Sequence, residues 1–494
     1  MKISNLLEHK HFKLYLSIFV AAVYFCGIHY LSECERIFQY GFDEGYYFMR
    51  AFLHMKGFDL YKDIMIDQPP GLPKMLYFAF KLFGPSVGAG RSVVLLLVSL
   101  MLGSLFYMIS KTQNVFSAFV TMVLICSIPN FVKLSVSAMN GLPAIALAVI
   151  SCLGVYWYET RRQRGFLLLS AFLLALGLQT KLFVVVFIPA IAAELFFFEY
   201  QQDTGKPAPK HFRSVCFWAL CLLAVYLTIA WSLGVHYSQI IRPYSLAKDH
   251  FSEEPFVKVF SWLTRNSGIS LLALGAFVWP RAKPMTFVLI PLLATIGSFL
   301  LFVYHRPIWY HHRMLMMVPA AWLASYGVSE FFSLLNWRSF KKETTPKKRW
   351  MIFKRVYLAG ALLYVTLHFT SNAYSAKWSM YDTTPPEVYD VIELIRKNKT
   401  ADSVLLTDTP NMAFHARVLM PPSLATFSGK HVKTGIITEE SLVRTINSEN
   451  VDMIVWYRFP KLGEKVMRRV GDRYELVYQN DYRHLKLYFQ KKGP

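Results

Sequence analysis

Apolar runs long enough to cross a bilayer recur along most of this chain, and they constrain its fold more than any other feature. A transmembrane helix needs about 20 consecutive apolar residues to cover the hydrocarbon core. Runs that meet or approach this length are Phe12–Leu31, Arg91–Ser110, Val115–Pro129, Ala138–Tyr158, Gly165–Thr180, Leu182–Tyr200, Ser214–Leu233, Ser267–Trp279, Met285–Tyr304, Met314–Leu334 and Met351–Ser371. In lipid each backbone N–H and C=O must be satisfied within its own segment, so such runs fold as helices. The expectation is a polytopic α-helical membrane protein with about 11 spans, the third, fifth and eighth of them short. Composition agrees: only 17% of the 494 residues are charged, against about 25% in soluble domains. Pro73–Phe83 is apolar but too short to span, and reads as a helix lying at the interface.

The formal net charge is +22, yet a nucleic-acid groove is unlikely on this pattern. The basic residues fall mainly in alternate short loops between the apolar runs, which is the positive-inside arrangement. One set holds Lys2, Lys10 and Lys13, then Lys111, then Arg161, Arg162 and Arg164. It continues with Lys206, Lys210 and Arg213, with Arg281 and Lys283, and with Arg338 through Arg349. These loops read as cytoplasmic. The other face then carries the loop around Asp43, the loops His236–Asn266 and Arg306–Arg313, and everything after Asn372. An odd span count puts the N-terminus in the cytoplasm and the C-terminus outside. No small-residue cleavage site follows Phe12–Leu31, so it is expected to stay as an anchor. The chain divides into a membrane part, 1–372, with its first outer loop at 32–90, and an outer unit, 373–494.

That last part changes character. Glu387–Asn398 and Glu439–Asn447 read as helices, Ser403–Thr407 and Asp452–Tyr457 as buried strands, and Tyr474–Tyr478 with Leu485–Gln490 as a terminal strand pair. The expectation is a small α/β domain without a glycine-rich phosphate loop. Asn398-Lys399-Thr400 matches the glycosylation sequon, a pattern common by chance. Of six cysteines, all but Cys34 lie inside apolar runs, so neither a disulfide framework nor a CxxC metal site is visible.

Carboxylates beside a membrane need a reason to be there, and the first outer loop carries Asp43-Glu44 and Asp67. Glu44–Lys56 is amphipathic, with Tyr47, Phe48, Ala51, Phe52 and Met55 on one face, and is expected to lie in the interface plane. Asp43 then stands at its start. In one reading Asp43 is only an N-cap and Glu44 a favourable charge at a helix N-terminus. In the other they do chemistry.

The loop motif favours chemistry. Asp43-Glu44, Asp67-Gln68-Pro69-Pro70-Gly71, Lys81-Leu82-Phe83-Gly84-Pro85 and Arg91 together resemble the GT-C membrane glycosyltransferases. The likeness is closest to the dolichyl-phosphate-mannose protein mannosyltransferase and aminoarabinose transferase branch. Gly177-Leu178-Gln179-Thr180-Lys181 and Tyr310-His311-His312-Arg313 with Pro319 resemble further stretches of it. The resemblance implies inverting transfer of a sugar from a polyprenyl-phosphate carrier to a glycan, lipid or protein acceptor on the outer face. It implies Asp43 as base, with Glu44 nearby and Asp67 on sugar or acceptor hydroxyls. Several aminoarabinose transferases have Lys before Pro-Pro, reaching the carrier phosphate; this chain has Gln68. The phosphate must then be met elsewhere, and Arg313, His312, Tyr310 and Lys181 are the candidates, with Arg91 and Arg50 behind them. Arg313 reads equally well as a snorkelling residue.

No two aspartates are separated by one residue, so there is no Asp-x-Asp motif for a metal-bound sugar nucleotide. No cofactor is expected, and a divalent metal is not. The rival is a transporter or flippase of lipid-linked saccharides. It would place ionisable residues near mid-membrane in paired spans, whereas here they sit at span ends. A multi-pass protein of a bacterial plasma (inner) membrane is the expected setting.

Overall fold

The computed structural model describes residues 11–202, 212–247, 250, 254–278, 287–334, 352–367, 383–482 and 484–491. Among them, five helices are long and apolar enough to cross a membrane by length and composition: Phe12–Leu31, Val87–Thr112, Gly141–Arg161, Leu182–Gln202 and Arg213–Ser232. Val115–Cys126, Gly165–Thr180 and Leu289–Tyr304 are shorter apolar helices, as is Ser267–Val278. Arg313–Leu334 and a helix over 352–367 complete the series. The basic residues read as cytoplasmic at 203–211, 281–286 and 335–351 lie outside the described residues, as do Lys2 and Lys10.

Local chemistry sets several of these boundaries. Ser86 and Asn114 are extended, and their side chains accept from the amides of Ala89 and Ser117, capping the two helices that follow. Hydroxyls inside the helices bond back one turn, Ser99 to the Leu95 carbonyl and Thr121 to that of Ser117. Close approach is made by glycine: a Cβ on Gly103 would lie 2.9 Å from the Ser17 carbonyl oxygen, and one on Gly154 2.8 Å from that of Phe166. Phe12–Leu31 buries only Ser17, leaving its apolar sides for lipid, whereas Val87–Thr112 and Gly141–Arg161 are largely enclosed.

The C-terminal part forms a four-stranded sheet in the order β1–β2–β4–β3. Here β1 is Leu405–Thr407, β2 Met453–Trp456, β3 Tyr474–Asn480 and β4 Leu485–Gln490. The first pair is parallel and the others antiparallel. Helices Pro386–Asn398, Pro410–Ala416, Glu439–Ser448 and Pro460–Val470 accompany it. Two of these, Pro410–Ala416 and Pro460–Val470, have no counterpart in the sequence reading.

The segment between the first two apolar helices is enclosed by protein. Its helix is Asp43–Met55, and every residue from Glu44 to Leu53 is buried. One side packs on the Gly71–Phe83 helix and the other on Pro410–Ala416. Phe414 stacks on Phe48 at 5.0 Å and on Phe80 at 5.4 Å between ring centroids. A Cβ on Gly45 would stand 2.7 Å from the Asn411 backbone nitrogen, so only glycine lets the two segments meet there. The Gly71–Phe83 helix does keep an outward edge, with Phe78, Leu82 and Phe83 exposed.

Candidate active site

A cavity of about 700 Å³ opens between the segment 40–68, the later loops that carry Tyr244 and Tyr310, and the C-terminal unit. Helical spacing builds one wall, because Asp43, Tyr46, Tyr47 and Arg50 fall on one face of a single helix and all line the cavity. Asp67, Gln68, Asn140, Lys181, Tyr244, Tyr310, His311 and His312 line it from the membrane part. Lys430, Lys433 and Arg458 line it from the C-terminal unit.

Asp43 is not the helix cap that its position suggested. Phe42 holds the N-cap position, Asp43 is the first helical residue, and no side-chain capping bond is made. Nor does any hydrogen bond or ion pair tie its carboxylate to another described residue. Burial pushes its pKa up, and Lys181 and Arg458 pull the other way.

Glu44 is different. It is fully buried and does not line the cavity. Oε1 accepts from the Ala138 amide at 2.8 Å and Arg91 Nε at 3.1 Å; Oε2 accepts from the Tyr40 amide at 2.6 Å and Arg91 Nη2 at 2.9 Å. Arg91 also donates to the Cys34 and Ile37 carbonyls at 2.8 and 2.7 Å. This pair closes the loop onto the membrane part. Glu44 therefore leaves the catalytic set and Arg91 the phosphate-binding set, since each is spent on the other.

Asp67 lines the cavity with both oxygens engaged. Oδ1 takes Arg50 Nη2 at 2.7 Å and Oδ2 takes Lys430 Nζ at 2.7 Å. Burial raises its pKa, but Lys430, Arg50 and His431 outweigh that and hold the carboxyl well below the usual range. Arg50 also donates Nε to Thr426 Oγ1 at 3.1 Å, and Thr426 donates to the Met65 carbonyl at 2.8 Å. Asp67 and Arg50 thus join the loop to the C-terminal unit: the carboxylate read for sugar or acceptor hydroxyls and the cation read behind the phosphate candidates are both engaged in this junction.

A polar belt runs beneath. Lys181 donates to Asn140 Oδ1 at 3.4 Å, Asn140 donates to Gln68 Oε1 at 3.1 Å, and Gln68 donates to the Tyr244 hydroxyl. Lys430 stands 3.8 Å over the Tyr244 ring. Burial pushes Lys181 down to about 8, opposed by Asp43. His311 and His312 are both held well below their ordinary value by burial. His312 accepts from the Trp309 amide and stacks on Phe302. Tyr310 lines the cavity, its phenol pushed up to about 12 by burial and by Asp43. Arg313 is 6% exposed and does not line the cavity.

Sequence reasoning missed the contribution of the C-terminal unit. Lys430 reaches Asp67, and Arg458 donates Nη1 to the Tyr46 hydroxyl at 2.8 Å while lying 4.3 Å over the Phe42 ring. No local signal marks either cation. Among the described residues no group of three or more His, Cys, Asp or Glu is placed to hold a metal ion.

Comparison with known proteins bears on this arrangement. The family model for dolichyl-phosphate-mannose-protein mannosyltransferase matches residues 67–232. A crystal structure of ArnT from Cupriavidus metallidurans bound to undecaprenyl phosphate matches with a TM-score of 0.61 and 13% identity, over 97% of this chain and 98% of that one. The apo structure of the same protein gives 0.61 and 14%, over 96% and 97%. No curated protein matches the chain. The likeness read from the first-loop motif thus holds in sequence over 67–232 and in fold over nearly the whole chain: this is the GT-C fold of the membrane glycosyltransferases.

Proposed function

We propose that this GT-C chain is an inverting glycosyltransferase that moves a sugar from a polyprenyl-phosphate carrier to an acceptor on the non-cytoplasmic side of the membrane. The observation that carries the reading is the state of Asp43. It is the one cavity-lining carboxylate of the Asp43–Met55 helix, no hydrogen bond or ion pair from another described residue consumes it, and Lys181 and Arg458 are the cations acting most strongly on it. The ligand of one ArnT structure, undecaprenyl phosphate, is of the same carrier class. The membrane part, 1–372, and the outer unit, 373–494, then act together, with about 11 spans, the N-terminus cytoplasmic and the C-terminus outside, in a bacterial inner membrane.

The chemistry follows from the groups present. An acceptor hydroxyl is a poor nucleophile until a base takes its proton. Asp43 accepts that proton as the acceptor oxygen bonds to the anomeric carbon. The bond from that carbon to the phosphate oxygen breaks, and the leaving phosphate keeps the electron pair. Cations set in advance around the developing charge favour this step. Of the sequence-read phosphate candidates, Lys181, Tyr310 and His312 line the cavity, as does Arg50, which is tied to Asp67, and Lys430 and Lys433 join Lys181 as cations there; the Gln68 side chain, tied to Asn140 and Tyr244, orients rather than neutralises.

The test is transfer from a synthetic polyprenyl-phosphate sugar in detergent. Asp43→Asn keeps size and leaves no capping bond to lose, so it should fold normally and lose about 10²–10⁴-fold in rate. Near-normal transfer by that variant would end the base assignment. Activity with a sugar nucleotide alone would overturn the donor class.

A further inference from the structure

The C-terminal unit places a second carboxylate where the first acts. Asp408 directly follows β1, and Arg458 lies two residues past β2. These strands are parallel neighbours, so both residues leave the sheet at its carboxyl edge, where α/β sheets hold their ligands. Asp408 is completely buried. It accepts from three successive backbone amides of the β2 exit: Tyr457 at 3.1 Å, Arg458 at 2.8 Å and Phe459 at 2.7 Å. A fourth bond comes from the Thr409 hydroxyl at 3.1 Å. One carboxylate thereby fixes the backbone from which the Arg458 side chain departs. That side chain ends between Phe42, the residue before Asp43, and Tyr46, one turn after it.

We propose that Asp408 is a positioning residue of the catalytic cavity: it locks the β2 exit so that Arg458 is delivered to Asp43 as its charge partner from the C-terminal unit. The proposal rests on the reading of Asp43 as the base. A carboxylate enclosed in a cavity tends to hold its proton. A base must release it before the acceptor binds, so an apposed guanidinium keeps the base ready. The other charged and titratable groups facing Asp43, among the described residues, are Lys181, Lys430, Asp67, Tyr46, Tyr47, Tyr244 and Tyr310. Lys430 is held by Asp67. Of the two principal cations, Lys181 comes from the membrane part and Arg458 from the C-terminal unit.

The experiment compares wild type with Arg458→Gln, Arg458→Lys, Asp408→Asn and the Asp408→Asn/Arg458→Gln double variant, each in the full-length protein. Two readouts are taken: the pH dependence of kcat/KM for transfer, and the Asp43 carboxyl titration by infrared absorption, referenced to Asp43→Asn. Arg458→Gln should move the acid limb and the titration to higher pH by about one unit. Arg458→Lys, which keeps the charge, should restore both. Asp408→Asn should move them the same way by a smaller amount, and the double variant should go no further than Arg458→Gln, because the two residues act in one chain. An Asp408→Asn protein that only melts earlier, with both readouts in place, has a purely structural Asp408 and overturns the proposal. So does an Asp43 titration that ignores Arg458→Gln. If wild type transfers nothing from any polyprenyl-phosphate sugar, the functional reading fails, and the infrared titration still decides the Asp408–Arg458 relation.

Discussion

Replacing Glu44 by glutamine removes one charge from an ion pair that has no access to water. Both side chains are 0% exposed and the N–O distance is 2.9 Å. At an effective dielectric of about 20, attraction at that distance is on the order of 6 kcal/mol. Desolvation of both groups has already been spent against it, so the net worth of the pair is small, but losing one member is not. Each Glu44 oxygen accepts from one backbone amide and one Arg91 nitrogen. A glutamine NH₂ at either position must face two donors, so rotating the amide gives no relief. Arg91 is left as an uncompensated buried cation, a situation that costs about 3–5 kcal/mol. Thermal unfolding followed by size-exclusion chromatography in detergent should show a clear fall in the melting temperature of Glu44→Gln. Glu44→Gln/Arg91→Met should recover part of it, since the second change removes the orphaned charge. The pH dependence of residual transfer should stay where wild type has it. Unchanged melting together with lost transfer would refute this reasoning and return Glu44 to the chemistry.

Gly45→Ala forces a Cβ to within 2.7 Å of the Asn411 amide nitrogen. Overpacking of this kind costs about 1–3 kcal/mol; limited proteolysis should release the C-terminal unit faster, and unaltered cleavage speaks against the close approach. Lys181, pushed down to about 8, should lose its charge as pH rises through that value. The KM for the carrier-linked sugar should therefore climb above pH 8 in wild type and stay flat in Lys181→Met; a climb persisting in the variant assigns it to another group. For topology, single cysteines near Asp63 and near Asn447, in a cysteine-free background, should both react with a membrane-impermeant thiol reagent in intact cells. Labelling of only one breaks the odd span count.

The helices were legible because lipid leaves an apolar run one conformation. The Gly165–Thr180 helix and β4 have the bounds read from the sequence, and most others differ by a few residues. Arg91 shows how such a reading errs. A charge next to an apolar run reads as its end, yet the helix begins at Val87 and runs through Arg91, because a carboxylate 47 residues earlier neutralises it. The same long-range pairing hid the role of Glu44. Amphipathicity of Asp43–Met55 is real, but its polar side faces a cavity and Phe48 and Phe52 of its apolar side meet Phe414 of the Pro410–Ala416 helix, and periodicity cannot say what lies opposite. Lys430 and Arg458 are ordinary cations in a polar stretch, so nothing local distinguishes them. Asp408 did carry a signal: an aspartate just after the apolar run Val404–Leu406, with Pro410 opening a helix two residues on.

The sandwiching of the Asp43–Met55 helix has a consequence for the order in which the molecule is made. Its membrane-side contacts are synthesised early, whereas the segment that covers its other side begins at Pro410. At translation rates of about 5–20 residues per second, the roughly 350 intervening residues need on the order of twenty seconds to a minute. Throughout that interval Phe48 and Phe52 await Phe414, and Asp67 awaits Lys430. The helices can be threaded into the bilayer one after another, but the cavity closes only when the final fifth of the polypeptide has emerged. A ribosome that stalls before then leaves a membrane-inserted product with Asp43 and Lys181 in place and Lys430 and Arg458 missing.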